Sequence, residues 1–431
     1  MLVGLLHGRA DRAGLEDHLD ELERLMETAG ARVVERAVQE RDAPDPATLV
    51  GRGFVERLGT RCAELGATTV VFDDDLSPSQ LRNVEALLPE NVKVLDRAAV
   101  ILDIFATHAR TREAQTQVEL AQLSYLLPRL AGRWLHLSRQ TGGIGTRGVG
   151  EKQIEIDRRL VSRRITRLKR QLAQIERTRR LRRKGRSGVP TVALVGYTNA
   201  GKSSLLRRLT NTDVLVEDRL FATLDPRARQ LELGDGLVAV VTDTVGFIRK
   251  LPHELVAPFR STLEEAASAD LVLHVVDGSH PSWEAQLEVG NAVLGDLGVT
   301  GEHVLVVVNK IDRMPRSRAD RVCRTVRGVP VSAMTGEGLD GLRNEMLERL
   351  LERGDLELVR IPLEDSGAVH RALTSGSMVA RRFGPESVTV ALRADLDRLR
   401  ALRLSEFRID RWGTGETSGG EGHDADLRVP L

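Results

Sequence analysis

The segment Gly196 to Ser203 constrains the fold of this chain more than any other feature. It reads G-x-x-x-x-G-K-S, follows the apolar run Thr191 to Val195 and precedes the helix-like run Ser204 to Leu209. Glycines at this spacing let backbone N–H groups surround phosphate oxygens, and the start of a helix adds positive potential. A strand, this loop and a helix in order predict a nucleotide-phosphate site in an α/β domain. We expect Lys202 to neutralise the β- and γ-phosphates and Ser203 to bind Mg²⁺.

A second motif follows the β-like run Val238 to Val241. It is Asp243-Thr244-Val245-Gly246, the D-x-x-G pattern. Its aspartate would hold Mg²⁺ through water, and the N–H of Gly246 would contact the γ-phosphate.

Between these motifs a mobile loop should supply a threonine to the metal and the γ-phosphate, as in switch I. Thr223, in the segment Phe221-Ala222-Thr223, lies at a suitable distance from the phosphate loop. Thr210 and Thr212 are competing candidates.

Two later motifs predict the choice of base. Asn309-Lys310-Ile311-Asp312 ends the run Val304 to Val308, and Ser332-Ala333-Met334 follows the run Val329 to Val331. The carboxylate of Asp312 can accept two hydrogen bonds from guanine N1–H and N2–H, a pair of donors that adenine lacks. The backbone of the second loop would support guanine O6, so the five motifs together favour GTP over ATP.

These motifs predict a GTP hydrolase with Mg²⁺ as cofactor, in which Lys202, Thr223 and Gly246 act on the phosphates and Ser203, Thr223 and Asp243 (through water) hold the metal. The expected nucleotide contacts are Gly196, Tyr197, Thr198, Asn199, Ala200, Gly201, Lys202, Ser203, Ser204, Phe221, Ala222, Thr223, Asp243, Thr244, Val245, Gly246, Asn309, Lys310, Asp312, Ser332, Ala333 and Met334.

Phe247 occupies the position where Ras-like enzymes carry the glutamine that orients the attacking water. An apolar ring cannot orient water. Either Phe247 simply packs and hydrolysis is slow, or a partner reshapes switch II, including Arg249, Lys250 and His253, and completes the site. We favour stimulation by a partner.

Length and composition indicate a soluble protein of two to four domains. The chain has 431 residues, 41% of them hydrophobic, and its 63 Lys and Arg nearly cancel its 62 Asp and Glu. Cys62 and Cys323 are the only cysteines, which is too few for a disulfide framework or a cysteine metal site and fits a reducing cytosol. No apolar run reaches the roughly 20 residues of a membrane span, so we expect no stable membrane insertion and a cytoplasmic protein.

The predicted fold class is α/β, with a P-loop GTPase domain at 188–354. Before it, residues 1–110 alternate β-like runs, such as Leu2 to Leu6 and Ala31 to Ala37, with helical ones, which predicts an N-terminal parallel α/β domain. Residues 111–187 should form a long helical, coiled-coil hairpin of Ala114 to Leu130 and Glu151 to Arg183, with the glycine-rich connector Thr141 to Gly150 at its tip. Residues 355–431 should form a small α+β appendage with a flexible tail.

The second hairpin helix combines an apolar stripe with a one-sided positive charge. Val161, Ile165, Leu168, Leu172 and Ile175 are spaced 4, 3, 4 and 3 residues apart, which places them on one stripe. Charge runs are usually solvated faces, but this one repels itself and favours a polyanionic partner. We therefore expect contact with RNA, not DNA, through Gly143, Gly145, Arg147, Gly148, Arg158, Arg159 and Arg163.

Several segments resemble the HflX family of ribosome-associated GTPases. The resemblance covers Leu49 to Gly341 and is most specific in segments outside the nucleotide motifs, namely Leu76 to Gln80, Gln117 to Leu123, Gly142 to Gly148 and Asp157 to Arg159. Gly196 to Ser203 and Asp243 to Ile248 complete it. It implies binding of the large ribosomal subunit and its RNA through the N-terminal domain and hairpin, and rescue of stalled ribosomes by splitting them into subunits. One departure is Phe54, at a position where the family often has lysine.

Two alternative functions remain open at this point. An RNA-remodelling NTPase would use the N-terminal domain, which has no phosphate loop. A nucleotide-gated binding module would dock a non-ribosomal protein on the hairpin. We expect a monomer in every case.

Overall fold

The computed structural model describes residues 1–8, 12–133, 149–184, 189–211, 220–221, 227–250, 266–299, 301–351, 356–409 and 412. The chain divides into two compact units. The first unit comprises Met1–Ser187, Thr191–Leu231 and Val240–Leu339, and the second comprises Gly188–Pro190, Glu232–Ala239 and Asp340–Leu431.

The first unit begins with a four-stranded parallel sheet of order β2-β1-β3-β4. Four helices alternate with its strands, as the run pattern predicts. Their bounds are β1 Leu2–His7, α1 Arg12–Thr28, β2 Arg36–Arg41, α2 Arg52–Leu65, β3 Thr69–Phe72, α3 Pro78–Glu85, β4 Lys93–Asp96 and α4 Arg97–His108.

Helix α1 shows why this alternation folds. Leu15, Leu19, Leu22 and Leu25 recur every three or four residues, so they share one face, and each is buried in the core. Helix α3 begins with a capping box in which the Ser77 side chain accepts the Gln80 N–H, which satisfies a donor that the helix itself leaves open.

Two sequence expectations for this region need correction. Strand β2 begins at Arg36, not at Ala31, because pairing with β1 starts at the register Leu2 to Arg36. Helix α4 has no counterpart in the sequence analysis. Its residues Val100 to Phe105 are apolar on nearly every side and mostly buried, so the one-sided periodicity that identifies a surface helix is missing.

Two long helices follow, α5 Arg112–Arg133 and α6 Val149–Lys184. They pack through a small apolar cluster in which Ile165, Leu168 and Leu172 of the predicted stripe meet Leu120 and Leu123. An exposed ion pair between Arg164 and Glu119 flanks this cluster, at 2.7 Å. Helix α6 begins at Val149, so Val149 and Gly150 are helical and do not belong to the expected connector.

The nucleotide domain contains a six-stranded sheet of order β10-β9-β8-β5-β7-β6. Strands β5, β7, β8, β9 and β10 run parallel to one another, which brings their carboxyl ends to one edge. The bounds are β5 Thr191–Gly196, α7 Lys202–Thr210, β6 Arg227–Gly234, β7 Leu237–Asp243, β8 Leu271–Asp277, α8 Trp283–Asp296, β9 Val304–Asn309, α9 Arg316–Val326, β10 Val329–Pro330 and α10 Leu339–Leu351.

The second unit contains an antiparallel sheet of order β12-β13-β11-β14 with two short helices. Its core is formed by strand residues such as Val359, Val388 and Val390 and by helix residues such as Ala368 and Leu399. The bounds are β11 Glu357–Pro362, α11 Ser366–Leu373, β12 Met378–Phe383, β13 Ser387–Leu392, α12 Leu396–Ala401 and β14 Arg408–Ile409. In the part of the chain that the structure describes, none of the helices has the length and apolar content to span a membrane.

Candidate nucleotide-binding site

The phosphate loop connects β5 to α7, and both of its motif glycines are sterically required. Gly196 has φ 146°, and a Cβ there would lie 2.1 Å from the Val275 carbonyl oxygen. Gly201 has φ 93°, and a Cβ there would lie 2.3 Å from Asn309 Nδ2. The loop therefore packs against the ends of β8 and β9. Its two glycines have backbone conformations that other residues rarely adopt.

Lys202 is folded over this loop and is buried. Its Nζ donates to the carbonyl oxygens of Gly196 at 3.1 Å and Tyr197 at 2.9 Å. Burial lowers the pKa of Lys202 to about 8, while the nearby Asp243 carboxylate acts in the opposite direction. A buried ammonium that contacts only neutral carbonyl groups is stabilised when an anion binds beside it, and phosphate oxygens would provide that negative charge.

Ser203 and Asp243 meet at the start of α7 and the end of β7. The Ser203 hydroxyl donates to Asp243 Oδ2 at 2.6 Å, and Asp243 is fully buried. A hydroxyl and a carboxylate are hard oxygen donors of the kind that Mg²⁺ prefers, and this metal is usually held by one or two protein groups together with phosphates. The pair therefore fits the expected metal. Within the described ranges no cluster of three or more His, Cys, Asp or Glu could hold a metal alone.

The D-x-x-G segment continues alongside the phosphate loop. Phe247 N–H donates to the Gly196 oxygen at 2.9 Å, and Thr198 N–H donates to the Phe247 oxygen at 2.7 Å. The Thr244 hydroxyl donates to the Leu194 oxygen at 2.7 Å, which holds the segment against β5. Gly246 is confined, since a Cβ there would lie 2.9 Å from both Lys202 Nζ and Thr198 Cα.

The Phe247 ring is buried and contacts β8. It makes an edge-to-face contact with His274 of β8, with ring centroids 6.2 Å apart. Burial lowers the pKa of His274 to about 4, against a hydrogen bond with Asn291 that raises it, so this ring is neutral at pH 7. Phe247 therefore packs in the core of the domain.

The two base-recognition loops are joined by side-chain hydrogen bonds. Asn309 Nδ2 donates to the Ala200 oxygen at 2.8 Å, and Asn309 Oδ1 accepts the Ala333 N–H at 3.0 Å. Asn309 thus connects the phosphate loop to the Ser332-Ala333-Met334 loop. The buried Ser332 hydroxyl donates to Asp312 Oδ1 at 2.6 Å, which orients the carboxylate expected to read guanine. Met334 itself is 74% exposed, so its side chain packs against nothing in the core.

Sequence reasoning missed one member of this cluster. Asp277, at the end of β8, pairs with Lys310 at 2.7 Å, while Lys310 Nζ also donates to the Asn199 oxygen at 2.7 Å. The signal that could have identified Asp277 is its position at the end of a buried strand. In the sheet this strand lies between β5 and β9. Lys310 has φ 63°, and these two contacts hold it in that conformation.

Some of the remaining predicted site residues lie outside the described residues, and the others are either buried or exposed. Ala222 and Thr223 lie outside the described residues, as do Gly143, Gly145, Arg147 and Gly148. Phe221 is buried and contacts the Phe105 ring edge-to-face at 4.5 Å, so its side chain faces the N-terminal core. Tyr197 and Val245 are also buried, and Ser204 lies in the first turn of α7. Arg158, Arg159 and Arg163 are exposed on α6.

Three family models match successive parts of the chain. They are described as GTP-binding GTPase N-terminal (residues 16–106), GTP-binding GTPase Middle Region (residues 108–186) and 50S ribosome-binding GTPase (residues 191–310). A solved structure of a GTP-binding protein from Sulfolobus solfataricus in complex with GDP aligns with 81% of this chain and 99% of its own, at 24% identity and a TM-score of 0.42.

Curated relatives agree over nearly the whole length. A GTPase HflX from Lacrimispora saccharolytica is 47% identical over 383 residues, which cover 88% of this chain and 90% of the relative. GTPase HflX from Escherichia coli is 43% identical over 357 residues, covering 81% and 83%. The P-loop GTPase fold, the joined base-recognition loops and these matches show that the chain belongs to the HflX family and is a GTPase that hydrolyses GTP.

Proposed function

We propose that this GTPase binds the large ribosomal subunit and its RNA, and that it splits or rescues stalled ribosomes under control of the bound nucleotide. The observation that carries this proposal is the exposed basic surface of α6. Seven cations of this helix face solvent within thirteen residues, namely Arg158, Arg159, Arg163, Arg164, Arg167, Lys169 and Arg170. The name of the family that matches residues 191–310, 50S ribosome-binding GTPase, supports the same partner.

The charge of this surface is largely uncompensated. Arg164 pairs with Glu119 and Arg159 with Glu155, and the described residues show no ion pair for Arg158, Arg163 or Arg167. Like charges on successive turns repel one another, and a phosphate backbone removes that repulsion while it releases counterions. The surface therefore favours a polyanion over a protein partner with mixed charge.

In the proposed binding mode, the nucleotide contacts are those predicted from the motifs. Asp312 accepts the guanine N1–H and N2–H, Lys202 contacts the β- and γ-phosphates, and Thr223 senses the γ-phosphate. Ser203 and, through water, Asp243 would hold Mg²⁺, which when bound neutralises charge on the phosphates. We also propose that the chain divides into four domains, with boundaries at residues 110, 187 and 354.

The position of Phe247 supports a requirement for a partner. Its ring is 5% exposed and in contact with His274, so no group at this position can orient an attacking water. A partner that binds switch II would supply or position the missing group. In our proposal the large subunit fills this role, and release follows hydrolysis.

The decisive experiment is GTP turnover by the full chain with and without purified large ribosomal subunits. We expect strong stimulation, and Lys202→Ala should abolish turnover in both conditions. Intact GTP binding without stimulation by subunits would contradict the proposal and direct the search to another partner.

Co-sedimentation with large subunits tests the α6 surface separately. Replacing Arg158, Arg159 and Arg163 with glutamine should weaken binding and flatten its dependence on salt, since each lost phosphate contact reduces the slope by about one. The matched control replaces three exposed arginines of α9, Arg316, Arg321 and Arg324. Equal effects of the two triple variants would argue against a specific role of α6.

A further inference from the structure

Two apolar side chains of α6 are exposed among its cations. Ile156 is 48% exposed and Leu160 is 56% exposed. They are four residues apart within the helix, so they lie one turn apart on the same face. A single exposed aliphatic side chain is common on protein surfaces, but two neighbours beside cations form one surface that a partner can contact.

These two residues do not belong to the stripe that packs against α5. That contact is made by Ile165, Leu168 and Leu172. Because an α-helix turns by about 100° per residue, Ile156 and Leu160 lie about 130° around the helix from this stripe. The hairpin contact therefore leaves both side chains on the outer side of α6.

The same side of the helix carries arginines. Arg163 and Arg167 are exposed, and each lies within about 20° of Ile156 around the helix. The described residues show no ion pair for either arginine. The acids Glu155 and Asp157 each lie about 100° away from Ile156, so they do not share this side. The outer face of α6 is defined here as Ile156, Leu160, Arg163 and Arg167.

A face of this composition fits a partner that combines negative charge with apolar surface. RNA has both, because its phosphates pair with arginines and the faces of its bases are apolar. In a regular RNA duplex the base faces are stacked, and side chains cannot enter the deep, narrow major groove. At bulges and loops the bases are unstacked, and aliphatic side chains can insert between bases. A regular duplex would therefore engage only the arginines of this face.

We propose that the outer face of α6 recognises RNA at unpaired bases, with Ile156 and Leu160 against the base faces and the two arginines against the flanking phosphates. This inference rests on the proposed binding of ribosomal RNA and adds the kind of RNA structure that α6 selects. The arginines contribute affinity that falls as salt rises, because they release counterions. The two apolar side chains contribute the preference for unpaired bases, and they release none.

The test measures binding of the full chain to two RNA duplexes that differ only by a bulge of unpaired nucleotides in one strand. The wild type should bind the bulged duplex more tightly. Replacing Ile156 and Leu160 together with glutamine should weaken binding of the bulged duplex about tenfold, which corresponds to about 1.4 kcal/mol, and leave the regular duplex unchanged. The dependence on salt should stay the same in this variant. Replacing Arg163 and Arg167 with glutamine should weaken both duplexes and flatten that dependence.

The matched control replaces Leu65 and Leu126 with glutamine, because these leucines are 38% and 43% exposed and lie on α2 and α5. Equal affinity of the wild type for the two duplexes would overturn the proposal. An unchanged preference for the bulge in the variant of Ile156 and Leu160 would also overturn it. A thermal melt of each variant checks that the chain remains folded.

Co-sedimentation with large ribosomal subunits separates failure of this inference from failure of the proposed function. If the variant of Ile156 and Leu160 loses subunit binding but keeps the preference for the bulge, the outer face contacts a ribosomal protein. The inference is then wrong, while the proposed function stands. If the wild type does not bind subunits but loses its preference for the bulge on this substitution, recognition of unpaired bases stands and the proposed function fails.

Discussion

Replacing Asp312 with asparagine should change which base the protein selects. The Asp312 carboxylate has two oxygens, and Oδ1 is oriented by the Ser332 hydroxyl at 2.6 Å. Guanine offers two donors to this group, N1–H and N2–H. An asparagine side chain has one acceptor and places an NH₂ group where the second acceptor stood, so one hydrogen bond is lost and two donors oppose each other.

The magnitude follows from the charge and exposure of the site. A hydrogen bond to a charged group contributes about 1.5–3 kcal/mol. Because Asp312 is exposed, we take the lower figure for the bond that is lost and about the same cost for the two opposed donors. Loss of about 3 kcal/mol corresponds to a roughly hundredfold weaker affinity for GTP. Xanthine carries an oxygen at position 2, which can accept from the asparagine NH₂, so affinity for xanthosine triphosphate should rise.

The assay is equilibrium binding of GTP, ATP and xanthosine triphosphate to the wild type, Asp312→Asn and Asp340→Asn. The last variant is the control, because the Asp340 side chain is 95% exposed and lies in α10 outside the cluster. Unchanged preference for guanine in Asp312→Asn would refute the assignment of this carboxylate. Equal losses for all three nucleotides would point instead to disruption of the loop.

Three further predictions concern stability and loop geometry. Arg97 is fully buried and pairs with Asp73 and Glu21. Arg97→Met leaves these two carboxylates without their buried cation and should lower the free energy of unfolding of the first unit by about 3–5 kcal/mol in urea titrations, whereas a loss below about 1 kcal/mol would show that the ion pairs contribute little. The pKa of His274 falls from 6.5 to about 4 on folding, so only the unfolded chain binds a proton in this range; stability should be complete above pH 6.5 and decline on acidification toward pH 4 by up to about 3 kcal/mol, a slope that His274→Gln should remove. Gly201→Ala introduces a Cβ into contact with Asn309 at a φ of 93° and should abolish measurable GTP binding, while retained affinity in calorimetry would mean that the loop can move.

Local pattern was sufficient for much of the nucleotide domain. The apolar run before Gly196 and the glycines within the loop predict strand β5, the phosphate loop and helix α7 at nearly their observed bounds, because each element depends mainly on its own residues. The stripe on α6 predicted its packing in the same way, and Ile165, Leu168 and Leu172 do pack against α5. Among the described residues, the predicted site residues Gly196, Asp243 and Asn309 end parallel strands and so lie at the carboxyl edge of the sheet, where the ends of such strands converge.

Other features of the fold could not be predicted from local sequence patterns. Helix α4 is buried on nearly all sides and therefore lacks the periodicity on which the prediction of helices relies. Strand β2 begins at Arg36, a boundary that depends on the register of β1 and on nothing within Ala31 to Val34. Asp277 had the right position at the end of a strand, but its pairing with Lys310 depends on the neighbouring strand.

The sequence by itself determined that this chain binds a guanine nucleotide, because phosphate and base recognition require short motifs whose residues are close together along the chain. Only the tertiary structure decided how the N-terminal domain meets that site. Tyr197 bonds to Glu21 across 176 positions and Lys250 pairs with Asp73 across 177 positions. Each of these residues is unremarkable in its own segment. These contacts form because the fold brings α1 and the end of β3 against the phosphate loop. Charged groups that are buried there are stable only when they are paired.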